Sequence, residues 1–287
     1  MILTLIFPGF DGGGEWGGTA WDPTSGLLYV NSNEMPWIMT MMEAEDVQEG
    51  DLLSVGKSIY QGNCMSCHGA NLEGYSFHGN APSLMDLGMR MNEENAHEIV
   101  HDGRSSMPSF AFLSDVQIKG VISYILGKEN QKIEEGLVDD GKNQHLPYSF
   151  AGYKRFVDGD GYPAIKPPWG TLNAIDLNKG ELAWQVPLGE FEELTKKGIP
   201  KTGTENYGGP VVTAGGLIFI GATIDSYFRA FDKSTGEEIW KYKLPAAGMA
   251  TPSIYEVNGK QYAVIAAGDG KNVKIRGDSY VAFALPD

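Results

Sequence analysis

The sequence has few cysteines, a deficit of cationic residues and no long apolar run, and each shortage excludes a class of protein. Its longest apolar runs, such as residues 1–10 and 216–222, are shorter than the roughly 20 residues that a membrane-spanning helix requires. Lysine and arginine number 22 against 37 aspartate and glutamate residues, and the resulting formal charge of −15 excludes a nucleic-acid-binding surface. The opening Met-Ile-Leu-Thr-Leu-Ile-Phe-Pro has no positively charged start and no small-residue cleavage site, so we do not expect a signal peptide there.

The only two cysteines form one short motif, Cys64-Met-Ser-Cys67-His68. This spacing places two thiols and an imidazole on one helical turn, as required for a haem whose vinyl groups are bonded to both thiols and whose iron is ligated by the histidine. A redox dithiol or a zinc half-site also uses Cys-x-x-Cys, but neither needs the adjacent histidine, and the chain has no second cysteine pair. The sequence therefore predicts haem c on Cys64 and Cys67, His68 as an iron ligand, and a role in electron transfer.

The second axial ligand of the iron must approach from the opposite face of the haem. The main candidate is Met107, because Pro108 stiffens the loop that would hold its thioether. A packing role is the alternative, since the chain has eleven methionines. Three histidines compete as ligands, and the last two have the i, i+4 spacing that more often marks a solvated helix face: His78, His97 and His101.

Glycine, proline and the spacing of apolar residues divide the chain into three zones. Residues 1–42 and 133–287 combine short apolar runs with turn residues, a pattern typical of strands. Residues 43–132 instead carry apolar side chains at helical spacing, for example Leu52, Val55 and Ile59. We predict domains at 1–42, 43–132 and 133–287, with the middle one helical and inserted into a β structure.

An internal repeat occurs within the β zones. Residues 172–184 and 228–240 both read Ala-x-Asp-x-x-x-Gly-Glu-x-x-Trp, and residues 19–26 keep the Asp and the Gly. The Asp and Gly favour a tight turn between two strands, and the Trp supplies an apolar face between neighbouring sheets. Such units stack as propeller blades. The predicted strands make about three blades, against about 4 to 8 in closed propellers, so we predict an all-β propeller fragment with an inserted all-α domain.

Residues 51–128 resemble a class I cytochrome c domain. The resemblance is carried by Gly56-Lys-Ser-Ile-Tyr60, Ala81-Pro-Ser-Leu84, Met107-Pro108 and the predicted helix at 113–126. It implies that the carbonyl of Pro82 orients the His68 ring and that Met107 is the axial ligand. A Met/His pair raises the haem potential, which suits an acceptor of electrons from an upstream donor.

The β zones resemble the C-terminal part of quinoprotein glucose dehydrogenases. The most specific stretch is Gly-Thr-Glu-Asn-Tyr-Gly-Gly-Pro at 203–210, supported by Glu-Trp-Gly-Gly at 15–18 and Lys-Pro-Pro-Trp-Gly at 166–170. The resemblance implies an eight-bladed propeller with pyrroloquinoline quinone (PQQ) at its centre. It also implies oxidation of an aldose or alcohol by hydride transfer to the quinone, which a divalent cation, usually calcium, polarises. The inserted haem domain would then receive the electrons one at a time.

The same resemblance implies four PQQ contacts, at the starts of blades: Trp16, Asn206, Tyr207 and Glu15. Trp169 and Asp225 are weaker candidates, and for each of the six the alternative is turn formation or packing between blades. The general base and the calcium ligands are expected in earlier blades, outside this chain. Relatives with a Gly-Gly-His-Gly loop have a substrate-linked histidine where this chain reads Ala-Gly-Asp-Gly at 267–270, which leaves the sugar preference open and makes Asp269 a candidate to bind a hydroxyl.

These features together predict the C-terminal portion of a quinohaemoprotein dehydrogenase in the periplasm, free or membrane-associated, with Met1 an internal methionine or a misplaced start. The expected partners are a sugar or alcohol substrate and a downstream acceptor such as a small cytochrome or a quinone. The acidic surface favours a basic partner. Two alternatives stay open: a periplasmic haem c electron carrier whose β part only docks the haem domain, and a propeller scaffold without enzymatic activity.

Overall fold

The computed structural model describes residues 2–44, 50–74, 81–134, 147–268 and 275–286. Most of its regular structure is β-sheet. The chain divides into two compact units, Met1–Leu5 with Ile38–Lys154, and Ile6–Trp37 with Arg155–Asp287. His78 and Asp269, both singled out from the sequence, lie outside the described residues.

The first unit holds the helices that the apolar spacing predicted. They are α1 (Leu52–Ile59), α2 (Met65–His68), α3 (Glu93–Asp102) and α4 (Asp115–Ile125), with a π-helical turn at Tyr60–Cys64 and a 3₁₀ turn at Leu87–Met89. Side-chain caps fix three starts: Asp51 accepts from Ser54 N, Asn92 accepts from Asn95 N, and Ser114 forms a reciprocal capping box with Gln117. Sequence-local hydrogen bonds therefore set where these helices begin.

Helices α1 and α4 cross at two glycines. A Cβ on Gly56 would overlap the carbonyl of Gly120, so only a side chain as small as hydrogen allows this approach. Around the crossing, both helices bury apolar residues in one core, which includes Val55, Ile118 and Val121. Tyr60 adds a ring contact to Tyr124, with centroids 5.3 Å apart, and donates to the carbonyl of Gly69 at 2.6 Å.

A three-stranded sheet accompanies these helices, in the order β1 (Ile2–Ile6), β4 (Trp37–Glu43) and β5 (Tyr148–Arg155). The sequence pattern predicts propeller strands in residues 1–42 and no separate sheet there. Strand β4 leads into the helical segment and β5 leads out of it, so their pairing joins the two ends of that segment. The partners lie more than a hundred residues apart, and local patterns carry no signal for such a pairing.

The second unit contains three antiparallel sheets. The first has the order β2 (Ala20–Asp22), β3 (Leu27–Asn33), β6 (Gly170–Asp176) and β7 (Glu181–Pro187). The second runs β8 (Val211–Val212), β9 (Leu217–Ile220), β10 (Tyr227–Asp232) and β11 (Glu238–Lys243), and the third β12 (Ser253–Val257), β13 (Lys260–Ala267) and β14 (Ser279–Phe283). A short helix, α5 (Glu192–Lys196), follows β7. These are the strands predicted from the sequence, including the first sheet split by the helical segment.

The repeated Asp and Gly form the same turn three times. Asp22, Asp176 and Asp232 each accept from backbone N–H groups two or three residues on, and each carbonyl accepts from the glycine four residues on at 2.8 to 2.9 Å. Those glycines, Gly26, Gly180 and Gly236, all have φ between +70° and +75°. The predicted tight turn is confirmed.

The repeated tryptophans join one sheet to the next. Trp184, on β7, donates to the carbonyl of Lys233 at 3.2 Å, and its ring lies against Gly236 in the turn of the second sheet. Trp240, on β11, packs edge to face on Phe283 of β14, with centroids 5.2 Å apart. Both contacts bridge neighbouring sheets, as the repeat predicted.

Candidate haem and quinone sites

The Cys-x-x-Cys-His motif lies where the π-helical turn Tyr60–Cys64 passes into α2. Cys64 is partly buried and Cys67 is exposed, and the two thiols are not joined in a disulfide. Burial raises the pKa of the Cys64 thiol to about 12, so this thiol is protonated. Gly69, with φ +79°, ends the helix directly after His68. Two cysteine side chains and an imidazole are therefore presented from one turn.

The ring of His68 is buried and held by one backbone carbonyl. Its Nδ1 lies 3.0 Å from the oxygen of Pro82, which accepts the ring proton when Nδ1 carries it. That tautomer leaves Nε2 with a lone pair for a metal, the arrangement that metal-ligating histidines usually have. The contact implied by the resemblance is thus present in the structure.

Gly74 allows the Pro82 segment to come this close. Its φ is +80°, and a Cβ there would lie 2.6 Å from Ser83 N and 2.8 Å from the carbonyl carbon of Pro82. Its N–H also donates to the carbonyl of His68 at 2.8 Å. Gly74 is not among the site residues predicted from the sequence, although it is visible there six residues after the motif.

Met107 lies in a tight loop directly after α3. Arg104 and Met107 exchange both backbone hydrogen bonds, each at 3.0 Å, and Ser105 between them has φ +56°. A Cβ on Gly103 would lie 2.7 Å from the Met107 oxygen, so this turn also needs a glycine. The side chain of Met107 is partly buried and packs against the core of the helical unit.

These residues fit a haem. Cys64 and Met107 both pack against the same apolar cluster, and the buried ring of His68 is oriented from behind by a carbonyl. An apolar surround with a histidine and a thioether is the environment of c-type haem iron. The competing His97 and His101 lie on the exposed side of α3, their ring centroids 5.9 Å apart, as the solvated-face alternative predicted.

Among the predicted quinone contacts, Asn206 is fully buried at the centre of a polar network. Its Nδ2 donates to the carbonyls of Ser32 and Thr204, both at 3.1 Å, and its Oδ1 accepts from Asn31 at 2.6 Å. Asn33 donates to the Asn206 carbonyl at 3.0 Å and accepts from its N–H at 2.8 Å. The Asn206 amide hydrogens thus hold the first sheet to the 202–207 loop. This is the packing role that was the alternative to a PQQ contact.

Tyr207 is also buried, within a cluster of charged groups. Its hydroxyl lies 3.3 Å from Asp11 and 3.4 Å from Glu205, and it accepts from Arg155 at 3.3 Å. Arg155 and Glu205 form a buried ion pair. Burial raises the pKa of Glu205 to about 7 against the opposing charge of Arg155, and it also raises the pKa of the Tyr207 phenol. Neither Arg155 nor Glu205 was among the site residues predicted from the sequence.

Glu15 and Trp16 differ sharply in exposure. Glu15 is partly buried and accepts from Asn33 at 2.6 Å, which connects it to the Asn206 network. Trp16 is 76% exposed, so its indole offers an open planar face. Of the four predicted contacts, it has the greatest free area for stacking on a flat ligand.

The two weaker candidates have structural roles. Trp169 stacks on Tyr162, with centroids 5.8 Å apart, and donates to the carbonyl of Ile165 at 2.9 Å. Asp225 is paired with the buried Arg229 at 2.5 Å, and although burial favours its neutral form, the Arg229 charge lowers the pKa of that carboxyl. The Asp225 carboxylate is thus already bound by Arg229 and also accepts a hydrogen bond from Thr223.

Calcium stays a prediction. Within the described ranges no three His, Cys, Asp or Glu side chains converge in a way that could hold a metal ion. In that same part of the chain, no helix is long and apolar enough to cross a membrane.

Comparison with known families finds two matching family profiles in this chain. The profile of the glucose/ethanol/alcohol dehydrogenase β-propeller domain, the PQQ family, matches residues 2–71 and 107–263. The chain belongs to this PQQ dehydrogenase family. A second profile, of subunit III of cbb3-type cytochrome c oxidase, matches residues 51–125 of this PQQ-family chain. That segment is its cytochrome c domain.

Two curated relatives place the PQQ-family chain within longer proteins. It is 30% identical to the quinate/shikimate dehydrogenase (quinone) of Acinetobacter baylyi over 99% of its own length and 26% of the relative's. It is 43% identical to the quinoprotein glucose dehydrogenase of Escherichia coli over 46% of its length and 17% of the relative's. A solved quinohemoprotein alcohol dehydrogenase from Comamonas testosteroni aligns at 16% identity over 99% of this chain and 28% of that one, with a TM-score of 0.49. The chain thus spans 17% to 28% of the length of these relatives.

Proposed function

We propose that this chain is part of a quinohaemoprotein dehydrogenase that oxidises a small hydroxylated substrate through PQQ and transfers electrons singly to a covalently bound haem c. The observation that carries the proposal is the His68–Pro82 contact behind a Cys-x-x-Cys-His turn, in a chain whose β part belongs to the PQQ family. An aldose or alcohol is the expected substrate class. A cyclic polyol acid belongs in the same panel, because the first relative named is a quinate/shikimate dehydrogenase.

Each side chain of the haem site has a separate role in this proposal. Cys64 and Cys67 would form the thioether bonds to the haem, and His68, through Nε2, and Met107 would ligate the iron. The Pro82 carbonyl holds the ring of His68 in one tautomer and orientation, with Nε2 directed to a metal. A thioether from the partly buried Met107 would raise the reduction potential of a bound haem.

The quinone site is proposed on the residues around the Asn206 network. A bound PQQ would supply the chemistry of hydride acceptance and one-electron release. Trp16 would stack on the flat quinone ring system, while Asn206 keeps Asn33, Glu15 and the 202–207 loop in register. Tyr207, held among Asp11, Arg155 and Glu205, fixes the other end of that loop.

We propose that the three sheets of the second unit are three blades of an eight-bladed propeller, with an all-α cytochrome c domain inserted at about 43–132. The remaining blades would come from a longer chain, together with the general base and the calcium ligands. Covalent haem c implies maturation outside the bacterial cytoplasm, so we place the protein in the periplasm. A basic small cytochrome or a quinone would receive the electrons, since the chain has a formal charge of −15.

The covalent haem and the oxidation step are tested separately. After production with a cytochrome c maturation system, haem should stay on the denatured polypeptide, and both Cys64→Ser and Cys67→Ser should weaken that retention. The full-length gene product, supplied with PQQ and calcium, should reduce an artificial dye with at least one of an aldose, an alcohol or quinate. Covalent haem without any PQQ-dependent dye reduction across the panel would instead indicate the electron-carrier alternative.

A further inference from the structure

Helix α3 carries an unused pair of histidines on its exposed side. His97 and His101 bracket Glu98 in a His-Glu-x-x-His sequence, and four residues are about one helical turn. The two rings are nearly parallel, with an interplanar angle of 11° and centroids 5.9 Å apart. Small side-chain rotations would bring one nitrogen of each ring to a shared ligand, because neighbours at i, i+4 lie on the same helix face.

One of the two rings is already oriented as in a metal site. Asp102 accepts at 2.7 Å from Nδ1 of His101, and the side chain of His101 is 44% exposed. A carboxylate on one ring nitrogen fixes the tautomer and leaves the other nitrogen basic, which is the usual second contact of metal-bound histidine. In that tautomer the lone pair lies on Nε2 of His101, the nitrogen that would bind a metal.

The surroundings favour a cation. An open depression on α3 is lined by these two rings and four carboxylate side chains: Glu93, Glu94, His97, Glu98, His101 and Asp102. Glu93 is neutralised by an ion pair with Lys128. The other carboxylates add negative potential where a dication would approach.

We propose that His97 and His101 form a two-histidine binding site for a transition-metal dication such as Cu²⁺, Ni²⁺ or Zn²⁺, separate from the haem. Imidazole nitrogen is a preferred ligand for these ions, whereas Mg²⁺ and Ca²⁺ prefer oxygen. Within the described residues no third protein ligand joins the pair, so water would complete the coordination.

A metal bound to His97 and His101 would also stabilise the last turn of α3. The backbone carbonyls of that turn hold the loop that follows: Val100 accepts from Phe110 N at 3.1 Å, and His101 accepts from the Ser109 hydroxyl at 2.6 Å. A ligand that binds only the folded helix stabilises it according to its concentration relative to Kd. Thermal unfolding of the helical unit should therefore shift upward in excess Zn²⁺.

Calorimetric titration of the haem-loaded, oxidised chain with Zn²⁺ and Cu²⁺ tests the site. We expect one equivalent of each metal, with Cu²⁺ bound more tightly, as the Irving–Williams order requires. His97→Ala and His101→Ala should each weaken binding by at least the ~10- to 100-fold that loss of an outer-shell partner typically costs. Asp102→Asn should weaken it by about tenfold. His145→Ala, which removes one imidazole elsewhere in the sequence, is the matched control and should change nothing.

Two outcomes would overturn the proposal. One is equal Zn²⁺ affinity in the unmodified chain and in the His97→Ala and His101→Ala variants, with an unchanged haem spectrum as proof that the variants fold. The other is Mg²⁺ binding as tight as Zn²⁺ binding, because only the carboxylates would then be responsible. The comparison of Mg²⁺ with Zn²⁺ binding requires only the unmodified chain.

Discussion

At the scale of single residues, the haem site depends on backbone positions as much as on its ligands. His68 is oriented by a carbonyl that reaches it only because Gly74 has no side chain, and Met107 follows a turn that needs Gly103. The ligands themselves could be predicted from the sequence, since Cys-x-x-Cys-His is a local motif. The supporting glycines are visible in the sequence near the motifs, but their role could not be predicted, because it depends on contacts with other segments.

The axial role of Met107 can be separated from a packing role. Met107→Leu should keep the covalent haem but lower its reduction potential, because a thioether ligand raises that potential. Met91→Leu is the matched control, since Met91 is also a partly buried methionine packed against the helical core. Potentiometric titration of both variants distinguishes an axial role of Met107 from a packing role. Equal potentials in the two variants would assign Met107 to packing.

Gly74 should be less tolerant of alanine than a comparable glycine nearby. Gly127 has φ +64°, and a Cβ there would meet nothing within 4 Å, so Gly127→Ala incurs only the cost of a positive φ, about 1–2 kcal/mol. Gly74→Ala adds a clash with the Pro82 segment, and overpacking typically costs a further ~1–3 kcal/mol. Denaturant unfolding of both variants measures the difference. Equal destabilisation would show that the Pro82 segment moves freely.

Glu205 should make stability fall as pH rises. Its pKa is about 7 in the folded chain against an ordinary 4.5, so between these pH values the unfolded chain releases a proton that the folded chain retains. Glu205→Gln should flatten this part of the stability profile, and Glu181→Gln, an exposed control, should not. Thermal unfolding from pH 4.5 to 8 provides the test. An unchanged slope in Glu205→Gln would mean that Arg155 keeps Glu205 ionised.

At the scale of elements, the repeat unit explains why the sequence was informative about the sheets. Each Asp-x-x-x-Gly turn is closed by hydrogen bonds within five residues, so its signal is local. Each repeated tryptophan packs on the following sheet, so the same repeat also encodes a contact between sheets. By contrast, the short Ile2–Ile6 strand carries no mark of its partner β4, and the sheet formed by β1, β4 and β5 was not predicted.

The contact between Trp184 and the turn of the second sheet can be tested with a pair of glycines. Gly236 and Gly180 occupy the same turn position, with φ +74° and +70°. A Cβ on Gly236 would lie 2.7 Å from Trp184 Cε3, whereas a Cβ on Gly180 meets nothing within 4 Å. Gly236→Ala should therefore destabilise the chain by ~1–3 kcal/mol more than Gly180→Ala. Similar unfolding midpoints would argue against a tight fit between these sheets.

At the scale of the whole molecule, the central claim is electron transfer from the quinone to the haem. It is based on the order of the two family matches along the chain. Residues 51–125 match a cytochrome family profile, and matches to the PQQ propeller family lie on both sides of residues 72–106 within this segment. The quinone and haem parts were recognisable from sequence because each has a local motif or repeat. The predicted PQQ contacts were harder, since Asn206 and Tyr207 have buried side chains whose network includes Asn33, Arg155 and Asp11 from distant segments.

The most direct test of the account is the reduction of the haem by substrate in the full-length gene product, followed anaerobically through the haem absorption bands. With PQQ, calcium and an oxidisable substrate present, the haem should become reduced, and omission of PQQ should abolish this reduction. A protein that reduces an added dye with PQQ while its own haem stays oxidised would contradict electron transfer from the quinone to the haem.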